Sequence, residues 1–493
     1  MAASPPTEQG LSAMADRRRF LWLAGLGVFT FALLWLFYAN PALSAPRLNR
    51  ELLLWPVTFG LLWLYWAGYR LVARESVPLR WLVISGLLVG LLACMVPPFH
   101  STDVFGYINR GWQQAHYGMN PYVYTVDHIP GWEHDPMITD HWVNNPSPYG
   151  FLYLLIAKGL CLLGGGDKEN TLLVFKLGNL VVHGVTAFLV WLGATRVNSN
   201  ASTEPGRQNR PVLALYLYLW NPLVLVHGLA NGHNDMMMGL FVTLSAYFAL
   251  IGSWVWILPA LMAATLIKYG AVVILPFALL FLLKQRAWRA MGLGGLLAAG
   301  VFLLTGLPYL PDWSQFHLKE ISRNAFVSHG SLHSLIYSVF KTVAKELVPA
   351  WNPLRELVRD VMKNVLLMLY TLFYGGLAVK RFRQSRYPVS EWIWDALLVM
   401  AVLVCLVSLK FYPWYLAMFF PLALFLPEQS WLRRFMLVLS GAQLFSITFI
   451  GQAHLLNFLI MTGLPIAWVW RRIKKSHGKA AMVPVESQSE RSV

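Results

Sequence analysis

The chain has 493 residues, of which 57% are hydrophobic and 13% charged, with a formal net charge of +16. Soluble domains carry about a quarter charged residues, so the composition excludes a water-soluble globular protein and describes one that lives in a bilayer. The basic excess alone would suit nucleic acid. However, Lys and Arg fall in short clusters beside apolar runs, not along one stripe, which is the positive-inside pattern of a membrane protein.

Residues 1–19 read as a polar, disordered cytoplasmic tail ending in Arg17-Arg18-Arg19. The apolar run at 20–39 is longer than the roughly 7–15 residues of a signal-peptide core, so it reads as an uncleaved first span. Runs at 52–72 and 80–97 complete an N-terminal set of three, with Arg70, Arg74 and Arg80 marking the inward turn. Cys94, Cys161 and Cys405 all lie in apolar runs without paired spacing and read as buried, inert thiols.

The third span delivers residues 98–170 to the outside as a large loop with interfacial helices. Its first part, 98–150, is a polar island dense in His, Asp, Asn, Tyr and Trp. An irregular stretch this long is either functional or disordered, and its aromatics argue for order. Residues 149–164 are apolar, but charge alternation is kept only if they lie in the interface or re-enter.

A transmembrane core follows at 171–307, with spans at 172–195, 211–229, 235–252, 253–267, 269–284 and 289–307. After an external loop at 308–347 come spans at 361–380, 392–410, 411–427, 433–450 and 455–471, and a cytoplasmic tail from 472. The result is an all-α polytopic protein of about 12–14 transmembrane helices, with both termini in the cytoplasm. Trp220-Asn221-Pro222 should kink the span that contains it.

This topology brings many polar residues to one outer face, where ionisable groups at membrane depth are costly and usually functional. Asp103 follows the Pro97-Pro98 break and heads a helical face formed with Tyr107, Arg110 and Gln114. A carboxylate there, beside aromatic walls, suits a general base; its competing reading is a helix N-cap. His233-Asn234-Asp235 reads as recognition of a polyhydroxylated ligand or, again, as a cap. Lys176, Lys268 and Lys410 sit at outer span ends, placed to meet a phosphate or to snorkel to headgroups. Asn120 and Tyr149 lie in Pro-containing turns, and Trp414 and Tyr415 would stack on a sugar or join the interfacial aromatic belt. His317, Arg323, His329 and His333 in the second loop, and Gln452 and His454, fall on the same face. No cofactor is specified; a divalent cation would draw on the acidic and His residues of the 98–150 loop, though no ligand spacing fixes one.

Several motifs occur in order: Ser101-Thr-Asp-Val-Phe-Gly-Tyr, Gly118-x-Asn-Pro-Tyr, Pro148-Tyr-Gly, Trp220-Asn-Pro-Leu-Val-Leu-Val-His, Gly232-His-Asn-Asp and Phe411-Tyr-Pro-Trp-Tyr. With Lys268 before a Pro-containing span, they resemble the polyprenyl-phosphomannose-dependent α-1,6-mannosyltransferases of the GT-C superfamily over roughly residues 80–430. Two elements depart from that pattern, Pro148-Tyr149-Gly150-Phe151 and Lys268-Tyr269-Gly270.

The resemblance implies a GT-C-like bundle with a catalytic loop after the third span and Asp103 as the catalytic carboxylate. It also implies a lipid-phosphate sugar donor and a saccharide or glycolipid acceptor, at the outer face of the inner (plasma) membrane. The three lysines would then serve the donor phosphate. Tyr107, Asn120, Tyr149, His233, Asn234, Asp235, Trp414 and Tyr415 would serve the substrates. The same reaction with another lipid-phosphate sugar is the nearest alternative. A transporter or flippase of lipid-linked saccharides is the alternative from another class, although it would favour repeated halves that the sequence does not show.

Overall fold

The computed structural model describes residues 8–44, 47–74, 77–199, 210–316, 330–347, 351–408, 410–447, 458–468 and 470–471. Among them the chain is helix and connecting loop, with no strand element. His317, Arg323, His329, Gln452 and His454 lie outside the described residues.

The first helices are α1 (Glu8–Ala39), the short α2 (Pro41–Ser44), α3 (Arg47–Val72) and α4 (Leu79–Met95). α1 begins at Glu8, inside the stretch that composition leaves unstructured. Within that stretch Asp16 is buried, accepts a hydrogen bond from Arg19 (3.2 Å) and faces Arg74 at 3.7 Å.

Then follow α5 (Asp103–Ala115), α6 (Phe151–Leu163), α7 (Lys168–Ser199) and α8 (Arg210–Leu219). α6 has 13 residues, about 20 Å of helix against a hydrocarbon core of about 30 Å, so it is too short to cross alone. It packs on α5 instead. A Cβ on Gly111 would meet the Ala157 carbonyl at 2.5 Å and Cys161 Sγ at 2.6 Å, so only glycine allows this approach.

Past Leu219 the expected kink is present. Pro222 cannot continue the backbone ladder, and Asn221 Oδ1 accepts from the amides of Leu223 and Val224. α8 and the π-helical segment Val224–Ala230 meet at 51°.

The core continues with α9 (Asp235–Leu250), α10 (Ile257–Ile267), α11 (Leu275–Lys284) and α12 (Trp288–Gly306). The C-terminal part holds α13 (Leu332–Leu347), α14 (Trp351–Arg383), α15 (Val389–Val402), α16 (Phe420–Ala423) and α17 (Trp431–Ala442). Buried Arg381 joins α14 to α15 through a two-pronged contact with Asp395, Nε–Oδ2 2.6 Å and Nη2–Oδ1 2.8 Å.

Five helices among the described residues are long and apolar enough to cross a membrane by themselves, and a sixth span forms if the bent pair is counted as one. Six shorter apolar helices accompany them. The run 411–427, expected as a span, is instead a 3-10 segment at Pro413–Met418 followed by four-residue α16. Pro413 and Pro421 each start a new turn there, and the segment is packed inside the bundle.

Candidate active site

The site is built where the chain leaves α4. After the Pro97-Pro98 break, Phe99 N and His100 N both donate to Asn231 Oδ1, at 2.9 and 2.8 Å. Gly232 turns the chain with φ +71°, a conformation that favours glycine, and so brings residues 231–235 under the start of α5.

Asp103 is the first residue of α5, and its amide donates to Ser101 Oγ at 3.2 Å. The cap position is Thr102, so the carboxylate is free of the capping role and lies at the positive end of the helix dipole. The buried face of α5 carries Tyr107, Arg110 and Gln114, as the spacing predicts.

Asp103, Gly106 and Arg110 of this helix border a cavity of about 1050 Å³. Asp103, Tyr149, Lys268, Lys410, Trp414 and Tyr415 line it, and Asp103 is the one carboxylate among the lining residues. Asp103 keeps 26% of its side chain exposed. Burial raises its carboxyl above the ordinary carboxylate range, against the pull of Lys268, Ser101, Lys410 and Trp142. Lys410 is lowered by burial and by Lys268, and Asp103 partly restores it.

Lys268 follows the end of α10 and reaches Asp235 Oδ1 at 2.7 Å, with its ammonium 4.4 Å from the Tyr415 ring centre. Trp414 is sandwiched between Tyr412 (ring centres 4.6 Å) and His233 (3.9 Å).

Tyr107, His233, Asn234 and Asp235 form the layer behind that wall. His233 is fully buried, with Nδ1 3.4 Å from the Tyr107 hydroxyl and 3.8 Å from Asp103 Oδ2. Asn234 precedes α9 but makes no side-chain cap bond, and its two side-chain polar atoms are buried without a hydrogen bond among the described residues. The capping reading of this motif therefore fails for Asn234.

Two expected residues sit elsewhere. Lys176 is buried on α7, where its ammonium donates to the Val96 carbonyl and holds the end of α4. Asn120 donates to Asp312 Oδ2 at 2.9 Å and ties the loop to the segment after α12. Neither is among the residues lining the cavity.

Sequence reasoning also overlooked His100 and Trp142, which line the cavity, and treated Arg110 only as part of a helical face. Among the described residues no group of three or more His, Cys, Asp or Glu side chains is arranged to hold a metal ion.

Comparison with known proteins gives this geometry a context. The chain is 27% identical to α-(1→6)-mannopyranosyltransferase A of Corynebacterium glutamicum over 77% of its own length and 79% of that protein's. It is likewise 27% identical to α-(1→6)-mannopyranosyltransferase A of Mycobacterium tuberculosis, over 48% of this chain and 44% of that protein. A probable α-(1→6)-mannopyranosyltransferase of Mycolicibacterium smegmatis is 30% identical over 32% of this chain and 27% of that protein. No solved structure matches.

A polytopic helical membrane protein with these similarities is a mannosyltransferase of GT-C type. The chain belongs to the family described as α-(1→6)-mannopyranosyltransferase, whose N-terminal domain matches residues 38–284. That stretch holds Asp103, His233, Asp235 and Lys268, and it ends before Lys410 and Trp414.

Proposed function

We propose that the protein transfers a mannosyl group from a polyprenyl-phosphate donor to a hydroxyl of a saccharide or glycolipid acceptor, with inversion at the anomeric carbon. The observation that carries this reading is a cavity with one lining carboxylate, Asp103, and three lining lysines, of which Lys268 and Lys410 also act electrostatically on Asp103. The positive-inside pattern supports a cavity on the outer face of the membrane and termini in the cytoplasm.

The chemistry follows from the leaving group. A phosphate ester departs readily, so no second carboxylic acid is required, unlike the carboxylate pair of glycoside hydrolysis. Asp103 accepts the proton from the acceptor hydroxyl as its oxygen bonds to the anomeric carbon. The bond from that carbon to the phosphate oxygen breaks on the opposite side, and the electron pair leaves with the polyprenyl phosphate. Lys268 and Lys410 balance the charge that develops there. A carboxyl raised by burial is a stronger base than an ordinary one once ionised, which suits this role.

The reading is tested by offering purified protein a panel of synthetic donors together with a simple mannoside acceptor. Polyprenyl-phosphomannose should be used, and proton NMR of the product should show the inverted anomer. Transfer only from another lipid-phosphate sugar would change the substrate and keep the mechanism. Binding of lipid-linked saccharide without transfer from any donor would point to a transporter.

A further inference from the structure

Trp142 stands at the edge of the cavity with a backbone φ of +60°, a region that a bulky L residue rarely adopts. The strain is held in place from α5. Arg110, buried, donates from Nη2 to the Trp142 carbonyl at 2.8 Å and also to the Asn145 carbonyl. Asn109 grips the same loop through the carbonyls of Thr139 (2.8 Å) and His141 (3.2 Å).

What this twist achieves is the opposite of packing. The indole is 51% exposed and lines the cavity, and it rests beside Gly106, one turn after Asp103. A Cβ on Gly106 would stand 3.2 Å from Trp142 Cδ1, so the absence of a side chain there leaves room for the ring. Trp142 also lies near enough to Asp103 to pull its carboxyl down against the effect of burial. Strain of this kind, over-determined by buried partners, marks a functional position.

Of the described aromatic side chains that line the cavity, Trp142 alone is largely exposed, and its indole fits the apolar C–H face of a hexose ring, with polar groups left to orient it. We infer that Trp142 is the platform for the acceptor sugar. Its ring takes one face of the acceptor hexose and holds the nucleophilic hydroxyl over Asp103, while the donor phosphate lies with Lys268 and Lys410. This inference rests on the transfer reaction proposed above and names the subsite its acceptor uses. The twisted backbone fixes the angle of the ring relative to Asp103, because Arg110, Asn109 and Asp103 all belong to α5.

The test compares Trp142→Ala, Trp142→Phe and Trp142→Gly with wild type, varying mannoside acceptor and lipid donor separately. Trp142→Gly removes the ring while relieving the backbone, so it covers the case in which Trp142→Ala fails to fold. Loss of the ring should raise the acceptor KM about tenfold and leave the donor KM unchanged. Trp142→Phe should retain most of the acceptor affinity. Equal loss of kcat in all three variants with unchanged acceptor KM would overturn the platform and leave only a contact with Asp103. Acceptor kinetics unaffected by any variant would also overturn it. Saturation-transfer NMR of the mannoside alone reads the subsite without the donor. A signal present in wild type and lost in Trp142→Gly upholds the platform even if no donor is turned over, whereas an undiminished signal refutes it.

Discussion

Asp103 Oδ2 and His233 Nδ1 face each other at 3.8 Å, and the imidazole has no exposed surface. His233 is stacked on Trp414 with ring centres 3.9 Å apart and touches the Tyr107 hydroxyl at 3.4 Å. A buried ring stacked on Trp414 and meeting both Tyr107 and Asp103 through Nδ1 limits where the carboxylate can stand.

It follows that His233→Phe, which retains the stack and loses the ring nitrogens, should fold normally and lose transfer activity by about 10²-fold, the penalty of a misplaced reacting group. Initial rates and a thermal melt on the same preparation check this. Unchanged rates would remove His233 from the positioning of Asp103.

The pair Lys268–Asp235 is a second constraint, at 2.7 Å, with the Asp235 side chain fully buried and that of Lys268 22% exposed. Removing only the lysine strands a buried carboxylate. Lys268→Met should therefore destabilise the protein by about 3–5 kcal/mol, and adding Asp235→Asn should recover much of that loss. Denaturation of the single and double variants supplies the cycle. A single variant as stable as wild type would show that the pair carries no stability. The double variant should remain poor in transfer, because the cation proposed to face the donor phosphate is still missing.

The pH dependence follows from two opposite shifts. In the proposed reaction Asp103 acts in its ionised form, and burial raises its carboxyl, so activity should rise through a pH above the ordinary carboxylate value of about 3.9. Lys410, in its proposed role as a cation, is lowered by burial, so activity should fall on the alkaline side before the ordinary lysine value of about 10.4. The profile of kcat/KM should be bell-shaped. Lys410→Arg, which keeps its proton throughout, should extend the alkaline limb upward. An alkaline limb that stays in place in this variant would assign it to another group.

Much of this arrangement can be read from residues alone, because membrane burial leaves strong marks. The Pro97-Pro98 break, the face of Tyr107, Arg110 and Gln114, and the kink at Asn221-Pro222 follow from backbone rules that tertiary packing did not override. Asp103, Lys268 and Lys410 meet at one cavity, as their places at span ends imply. Lys176 was harder to assign, since a lysine at a span end has the same local signature whether it faces a ligand or, as here, a backbone carbonyl. Trp142 left no local signal. Its twist depends on Arg110, 32 residues away, and only the folded loop shows it. The run 411–427 imitates a span because it is apolar throughout; Pro413 and Pro421 mark the breaks, but hydropathy outweighs them in a window.

The most direct measurement is transfer from polyprenyl-phosphomannose to a mannoside by wild type and Asp103→Asn in parallel, with donor binding recorded for both. The substitution preserves shape and removes the proposed base. Transfer should fall by about 10²–10⁴-fold while donor binding and thermal stability persist. An Asp103→Asn protein that transfers at the wild-type rate would contradict the assignment of Asp103 as the base.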